Sequence, residues 1–315
     1  RALVEADPDL RYTIFVGEGR PPDHPQFTVR RSRLPTGRPL WRILWEQAIQ
    51  PWQLGGLDLL HGLAFVSPLL ASLPTVVTVY DLSFVHYPER LSAARRLYLR
   101  LFTGISCRRA RRVIAISRST AEDVRRLLGV PGERIDVAVP GVDERFRPLP
   151  AAEVAAFRAA HDLPPRFLLH LGTLEPRKNL PLLLRAYARL PEGVRRHAPL
   201  ILVGGEGWGS DAIRATITAL RLGETVRLAG YAPDEELPQW YNAAAALVCP
   251  SVYEGWGLPV AEALACGTPV LASDVSSLPE AAGQAGLLLP PGDVNAWTEG
   301  LRRALRYVPP AALAA

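Results

Sequence analysis

The chain of 315 residues contains no methionine, and only one of its 36 lysines and arginines is a lysine, Lys178. A sequence without methionine has no start of its own, so it is expected to be a piece of a longer protein. Its opening, RALVEADPDLRYTIFVGEG, reads as the end of a helix and then a strand, and its last residues fade into alanine and proline, so both ends are expected to be cut. Cysteine is scarce too. Cys107, Cys249 and Cys266 are far apart and odd in number, which argues against a disulfide framework and a zinc site and fits reduced thiols in the cytoplasm. The longest apolar runs are about ten residues, half of what a membrane-spanning helix needs.

What is present is globular. Apolar residues make up 48% and charged residues 21%, and the length suffices for two domains with separate cores. The net charge of +5 gives a mild attraction to anions that identifies no partner, and no nucleic acid is expected. Short apolar runs alternate with amphipathic stretches. In the first half YTIFVG, LDLLHG, TVVTVYD, RVIAIS and RIDVAVP read as strands, with helices expected at 92–109 and 119–128. RFLLHLG, PLILVGG, TVRLAG, AALVCP and TPVLASD continue the scheme. Alternation of this kind predicts α/β architecture: two doubly wound parallel sheets, each covered on both faces. The proline-rich connection near Pro148 to Pro150 divides them, giving an amino-terminal domain over 1–149 and a carboxyl-terminal domain over 150–315, facing a cleft. Neither GGEGWGSD at 204–211 nor DPD at 7–9 is more than a turn: the glycines do not fit a dinucleotide fingerprint, and the aspartates sit in a polar loop. WRILWEQAIQPW is expected to be a helix with Trp41, Trp45 and Trp52 on one face, packed in the core.

Two stretches carry chemistry. HLGTLEPRKNLPLLLRAY ends a strand at Gly172, sets Arg177 beside Lys178, and starts a helix near Asn179. Adjacent cations at a helix start after a parallel strand make an anion site, although a solvated charge pair would look the same. In a chain that otherwise uses arginine, the lone lysine in this loop favours a task for a compact ammonium. The second stretch, YEGWGLPVAEALACGTPVLASD, places Glu254 and Glu262 eight positions apart around a glycine turn, with Pro259 suited to the first turn of the following helix. Helix-start N–H groups here offer a site to an anion, leaving the glutamates for an uncharged part of the same ligand. Alone, Glu262 could equally be an ordinary first-turn glutamate favoured by the helix dipole.

These stretches, together with RVIAISRSTAEDVRRLLGVPGERIDVAVPGVDERFRP, resemble family four of the retaining glycosyltransferases, and the resemblance runs from Leu10 to about Leu305. It implies the GT-B fold, two Rossmann-like domains around a cleft, with the nucleotide-sugar on the second domain and the missing amino-terminal part supplying a first strand and a glycine-rich loop. In such enzymes the position matching Glu262 holds the ribose hydroxyls, the position matching Glu254 reaches the transferred sugar, and the backbone of Gly255, Trp256, Gly257 and Leu258 lies near sugar and diphosphate. Gly172, Thr173, Arg177 and Lys178 complete the donor side, with Glu254, Lys178, Arg177 and Asp81 as the catalytic candidates. The family commonly has arginine directly after the glycine of this loop; here it is Thr173, so Arg177 and Lys178 must carry more of the diphosphate charge or donor affinity is lower. No cofactor and no metal are expected, since two fixed cations can take up the charge of the leaving diphosphate.

On the acceptor side, relatives carry a histidine followed by aspartate where this chain has Tyr80 and Asp81, which leaves Asp81 as the better candidate for holding a hydroxyl. His86 could substitute for that histidine or be packed in its loop, and His61 could line the acceptor site from a strand end. The arginine-rich helix around 95–113 could rest on an anionic membrane or pack on the sheet. Retention of configuration, implied by the resemblance, would proceed by same-face attack with the departing phosphate receiving the acceptor's proton. The expected function is transfer of a sugar, mannose being one candidate, from a UDP- or GDP-linked donor to a carbohydrate or lipid-linked acceptor in cell-surface polysaccharide or glycolipid synthesis. The protein would work in the cytoplasm or at the inner face of the plasma membrane. The alternatives are a sugar-nucleotide epimerase of the same fold and a two-domain sugar-binding protein without chemistry.

Overall fold

A computed structural model describes residues 4, 6, 7, 9–21 and 23–306. Pro8 of the Asp7–Asp9 loop, parts of the opening helix end and the alanine- and proline-rich tail lie outside the described residues. Twelve strands form among the described residues: β1 (Tyr12–Val16), β2 (Phe27–Arg31), β3 (Leu60–Gly62), β4 (Thr75–Val79), β5 (Arg112–Ala115), β6 (Ile135–Val137), β7 (Leu168–Leu171), β8 (Leu200–Val203), β9 (Val226–Gly230), β10 (Ala246–Cys249), β11 (Val270–Ser273) and β12 (Leu287–Leu289). All pairings are parallel.

The second half builds a six-stranded sheet in the order β12-β11-β10-β7-β8-β9. Its strands are mostly apolar because both faces are covered, with His170 in β7, Arg227 in β9 and Ser273 in β11 as the polar residues, and their side chains alternate between two cores. Phe167, Leu169, Ile201, Leu247 and Val270 meet Trp240 and Val260 on one face. Leu168, Leu200, Leu202, Val248 and Leu271 meet Tyr187, Trp297 and Leu301 on the other. From β7 the chain winds outward through β8 and β9, then returns to the opposite side of β7 as β10. The winding therefore reverses between β7 and β10, and at such a reversal the connections diverge to leave a crevice beyond the strands' carboxyl ends.

The first half has a four-stranded sheet, β3-β4-β5-β6, with its own core around Val77, Val79, Val113 and Val124. Its helices Ala93–Arg109 and Arg118–Leu128 start where serine can cap them: the Ser92 and Ser117 side chains accept from the N–H groups of Arg95 and Thr120.

Three sequence readings are corrected. YTIFVG forms β1, but it pairs in a separate two-stranded sheet with β2, whose FTVRR sequence has no clean alternation to announce it. The short β12, only three residues, was likewise not expected. The tryptophan stretch is not one helix with a buried face. It begins as the α-helix Pro39–Leu44, widens into a π-turn at Trp45–Ile49 and tightens into a 3-10 turn at Gln50–Gln53. The change of period breaks the common face, so Trp45 is buried while Trp41 and Trp52 are exposed by 40% and 84%.

The loops that follow β7 and β8 are in close backbone contact. Gly204 has φ of +151°, and a Cβ there would lie 2.0 Å from the Gly172 carbonyl oxygen. Gly204→Ala should therefore destabilise the protein by about 3 kcal/mol or more, through overpacking and backbone strain together. Denaturant unfolding measures this, and an unchanged midpoint would contradict the close approach.

Candidate active site

Beyond β7, Gly172 and Thr173 lead to Glu175 and to a 3-10 turn at Pro176–Lys178. Asn179, with φ of 54°, swings the chain into the helix Leu180–Ala188, and its side-chain amide donates to the Pro291 carbonyl at 2.9 Å. Beyond β10 runs the segment from Ser251 to the helix Leu258–Ala265, which has Pro259 in its first turn. The two connections flank the winding reversal and are bonded together there. The Val252 N–H donates to the Arg177 carbonyl at 3.0 Å. Arg177 donates from Nη1 to the Tyr253 carbonyl and to Glu254 Oε2, both at 2.6 Å. Lys178 Nζ donates to Glu254 Oε1 at 2.6 Å, and Arg177 Nε donates to Glu175 Oε1 at 2.9 Å.

This cluster joins two cations to two carboxylates with little water. Burial alone would raise the Glu254 carboxyl, but the Lys178 and Arg177 charges override it and hold the pKa at about 2. Burial opposes the Arg177 charge as well, yet Glu254 and Glu175 hold its pKa above the ordinary arginine value. The backbone of Glu254 is fixed too: its N–H donates to Ser276 Oγ at 3.0 Å, and its carbonyl accepts from Ser277 Oγ at 2.9 Å.

Glu262 stands apart from this cluster. It lies half-buried on the helix Leu258–Ala265, where burial raises its pKa while Oε2 accepts from the Tyr241 hydroxyl at 2.7 Å. Trp256 Nε1 is buried without a partner among the described residues, Gly257 takes a positive φ of +101° at the helix start, and Leu258 is exposed. Thr173 is exposed and Gly172 half-buried.

The first half meets this segment directly. A Cβ on Gly255 would lie 2.2 Å from the Tyr80 carbonyl oxygen and 3.1 Å from Asp81 Cβ, so only glycine fits against the end of β4. Thr120 Oγ1 lies 3.3 Å from both the Tyr80 and the Gly255 carbonyls. Asp81 Oδ1 accepts from the Ser83 N–H at 2.7 Å. The Tyr80 ring is exposed and packs edge-on against Phe65. His86 Nε2 bonds Asp123 Oδ2 at 2.9 Å and its ring lies on Tyr253, 4.6 Å between centroids. His61 stands in the middle of β3 rather than past its end, with Nε2 at 2.7 Å from Thr78 Oγ1, and burial lowers its pKa.

Sequence reasoning missed several residues that join the halves. The Tyr253 hydroxyl accepts from the Leu82 N–H at 3.0 Å and donates to Asp123 Oδ2 at 2.9 Å. The Glu280 carboxylate accepts from the N–H groups of Arg118 and Ser119, both at 2.8 Å, at the start of the helix Arg118–Leu128. A signal for Asp123 existed: it falls on the buried stripe of that helix with Thr120, Val124 and Leu128, where a carboxylate must have a partner. No such signal marked Glu280.

Residues 2–146 match the sequence model of Glycosyltransferase Family 4, and residues 153–308 match that of Glycosyl transferases group 1. The chain belongs to this glycosyltransferase family. It is 36% identical over 232 residues to O-antigen chain mannosyltransferase B of Escherichia coli, covering 73% of this chain and 61% of that protein. The chain thus spans less than two thirds of that relative's length. Among solved structures, WaaG, a glycosyltransferase involved in lipopolysaccharide biosynthesis, matches with a TM-score of 0.76 at 19% identity, over 99% of this chain and 86% of WaaG. Anabaena HepE, solved with UDP and glucose, matches with a TM-score of 0.69 at 22% identity, over 89% of this chain and 76% of HepE. At these identities the structural likenesses establish the fold, which is GT-B.

Two groups of the site make stability depend on pH in the same direction. Glu254, ordinarily near 4.5 and held at about 2, contributes stability that is present above pH 4.5 and is lost as pH falls toward 2. His170, fully buried in β7, is lowered from 6.5 to about 4, chiefly by burial. The unfolded chain therefore takes up this proton first, and stability falls as pH drops from 6.5 to 4. His170→Phe should remove this contribution, about 3 kcal/mol at most, and flatten stability between pH 6.5 and 4 in denaturant melts. An equal slope in the variant would show that His170 does not titrate as described.

Proposed function

We propose that the full-length protein transfers a sugar, with retention of configuration, from a nucleoside diphosphate donor to a carbohydrate or lipid-linked acceptor. The observation that carries this reading is the ion cluster at the winding reversal: two cations wait on one buried carboxylate where the fold opens its crevice. A diphosphate entering beside Arg177 and Lys178 can replace Glu254 as their counter-ion. The released carboxylate then turns to a hydroxyl of the transferred sugar. Charge grows on the diphosphate as the glycosidic bond breaks, and the same two cations stabilise it without a metal or other cofactor. The backbone from Gly255 to Leu258, with Gly172 and Thr173, lies beside sugar and phosphates, while Glu262 accepts from the ribose diol and Tyr241 holds it. Asp81 and Tyr80 stand on the acceptor side with His61; His86 serves instead to hold the halves together through Asp123 and Tyr253.

The relatives' names favour a hexose, mannose, built into a surface polysaccharide, and the donor is UDP- or GDP-linked. The division of labour runs between residues 1–149 for the acceptor and 150–315 for the donor. Acceptor-dependent release of nucleoside diphosphate by the full-length protein tests the reading. Release without acceptor would favour donor-only chemistry, and donor binding without release would favour a binding protein.

Lys178→Ala should weaken donor binding and lower turnover together, and Lys178→Arg should rescue it only in part, because a planar fork cannot replace a compact ammonium. Glu262→Ala should mainly raise the donor KM, whereas Glu254→Ala should lower kcat, each by roughly 10-fold to 150-fold for one lost charge-assisted bond. Steady-state kinetics decide it: a Glu254→Ala effect confined to KM would overturn the assignment.

The acceptor half also favours contact with a lipid surface. The helix Ala93–Arg109 exposes Leu97 and Leu101 among arginines, and Leu40, Trp41, Leu44 and Trp52 are exposed on the preceding turns. The protein would then work at the cytoplasmic face of the membrane carrying its acceptor. Sedimentation with anionic phospholipid vesicles should fall several-fold in Trp52→Ala/Leu97→Ala, as apolar contact is lost; equal sedimentation would argue against these residues.

A further inference from the structure

His170 is 1% exposed and has a role still unaccounted for. Its Nδ1 lies 2.9 Å from the Val248 carbonyl oxygen, across the pairing of β7 with β10. A carbonyl only accepts, so Nδ1 carries the proton and Nε2 presents a lone pair. That Nε2 is buried and has no partner among the described residues. Burial keeps the ring neutral near pH 7, so the lone pair remains available. It faces a gap of atomic size left by the absent side chain of Gly172. The point a Cβ would occupy there is 3.3 Å from Lys178 Cε, 3.5 Å from Lys178 Nζ and 3.7 Å from His170 Nε2. The ammonium and the unused acceptor border one notch.

We propose that His170 is a positioning residue for Lys178, its Nε2 accepting an N–H of the ammonium when Glu254 leaves the lysine for the transferred sugar. The proposal rests on the donor-site reading above. In the structure described, Lys178 donates to Glu254; once that carboxylate turns away, a largely buried ammonium needs a second protein acceptor. The narrow end of Lys178 already borders the notch over Gly172, with Cε and Nζ among its nearest atoms. Held by His170, the ammonium keeps its remaining N–H groups for phosphate oxygens. A compact ammonium suits this contact better than a planar guanidinium, in keeping with Lys178 being the one lysine of the sequence.

The test compares His170→Gln, whose side-chain oxygen reaches the Nε2 position, with His170→Asn, which replaces only Nδ1. In the full-length enzyme, His170→Asn should lower kcat about tenfold or more with a smaller change in donor KM, and His170→Gln should stay within about threefold of the parent. A second readout needs no turnover. With 15N-lysine labelling, the Lys178 side-chain resonance, assigned by its loss in Lys178→Arg, should shift on adding UDP or GDP. The shift should persist in His170→Gln and be lost or altered in His170→Asn. Full activity in His170→Asn, or equal impairment of both variants, would overturn the proposal in favour of a role confined to the Val248 bond. A parent protein that neither turns over donor nor shifts this resonance with either nucleotide would instead bring down the donor-site reading, and the proposal with it.

Discussion

The site is organised by the pairing of one buried carboxylate with two adjacent cations. Glu254 is ionised at 9% exposure because Arg177 and Lys178 lie beside it, and Glu254 together with Glu175 balances the two cations. The three residues come from two connections that are 76 positions apart, after β7 and β10. Their mutual neutralisation therefore fixes the spacing of the two loops at the winding reversal. An ion pair of this kind adds little net stability, because desolvation offsets much of the attraction. What it supplies is a defined geometry of the two loops at the winding reversal.

The two halves meet through a second set of contacts, made mostly by neutral groups and single carboxylates. Tyr253 bonds the Leu82 N–H and Asp123, Glu280 receives the first N–H groups of the helix Arg118–Leu128, and Gly255 touches the Tyr80 carbonyl. The Glu280 contact follows from helix electrostatics, since unpaired N–H groups at a helix start favour an anion. Tyr80, Leu82, Tyr253 and Gly255 follow the carboxyl ends of β4 and β10, while Asp123 and Glu280 reach the seam from helices.

The alternation of strands and helices was legible because periodicity is local, and every expected strand of the second sheet forms. Gly172, Lys178 and Glu254 could be found for the same reason: each stands just past an apolar run, and the lone lysine needs no partner to attract notice. The pairing of Lys178 with Glu254, as opposed to a waiting phosphate, depends on a contact across the fold that no local pattern encodes. The resemblance placed Glu262 among the donor residues, but its bond to Tyr241 could not be read from either stretch. The tryptophan stretch misled because a 3.6-residue period was assumed to continue through a π-turn and Pro51, where the backbone changes pitch. His170 was hidden within an apolar strand, where a neutral imidazole looks like another core residue.

Tyr253 and Glu254 are neighbours, yet they belong to different contacts. The tyrosine hydroxyl is anchored to the first half, its carbonyl is held by Arg177, and the next side chain closes the ion cluster. A single peptide unit thus ties the spacing of the halves to the occupancy of the charge cluster. A force that separated the halves would therefore act directly on the backbone that carries Glu254. The seam between the halves and the charge cluster are thus mechanically one assembly.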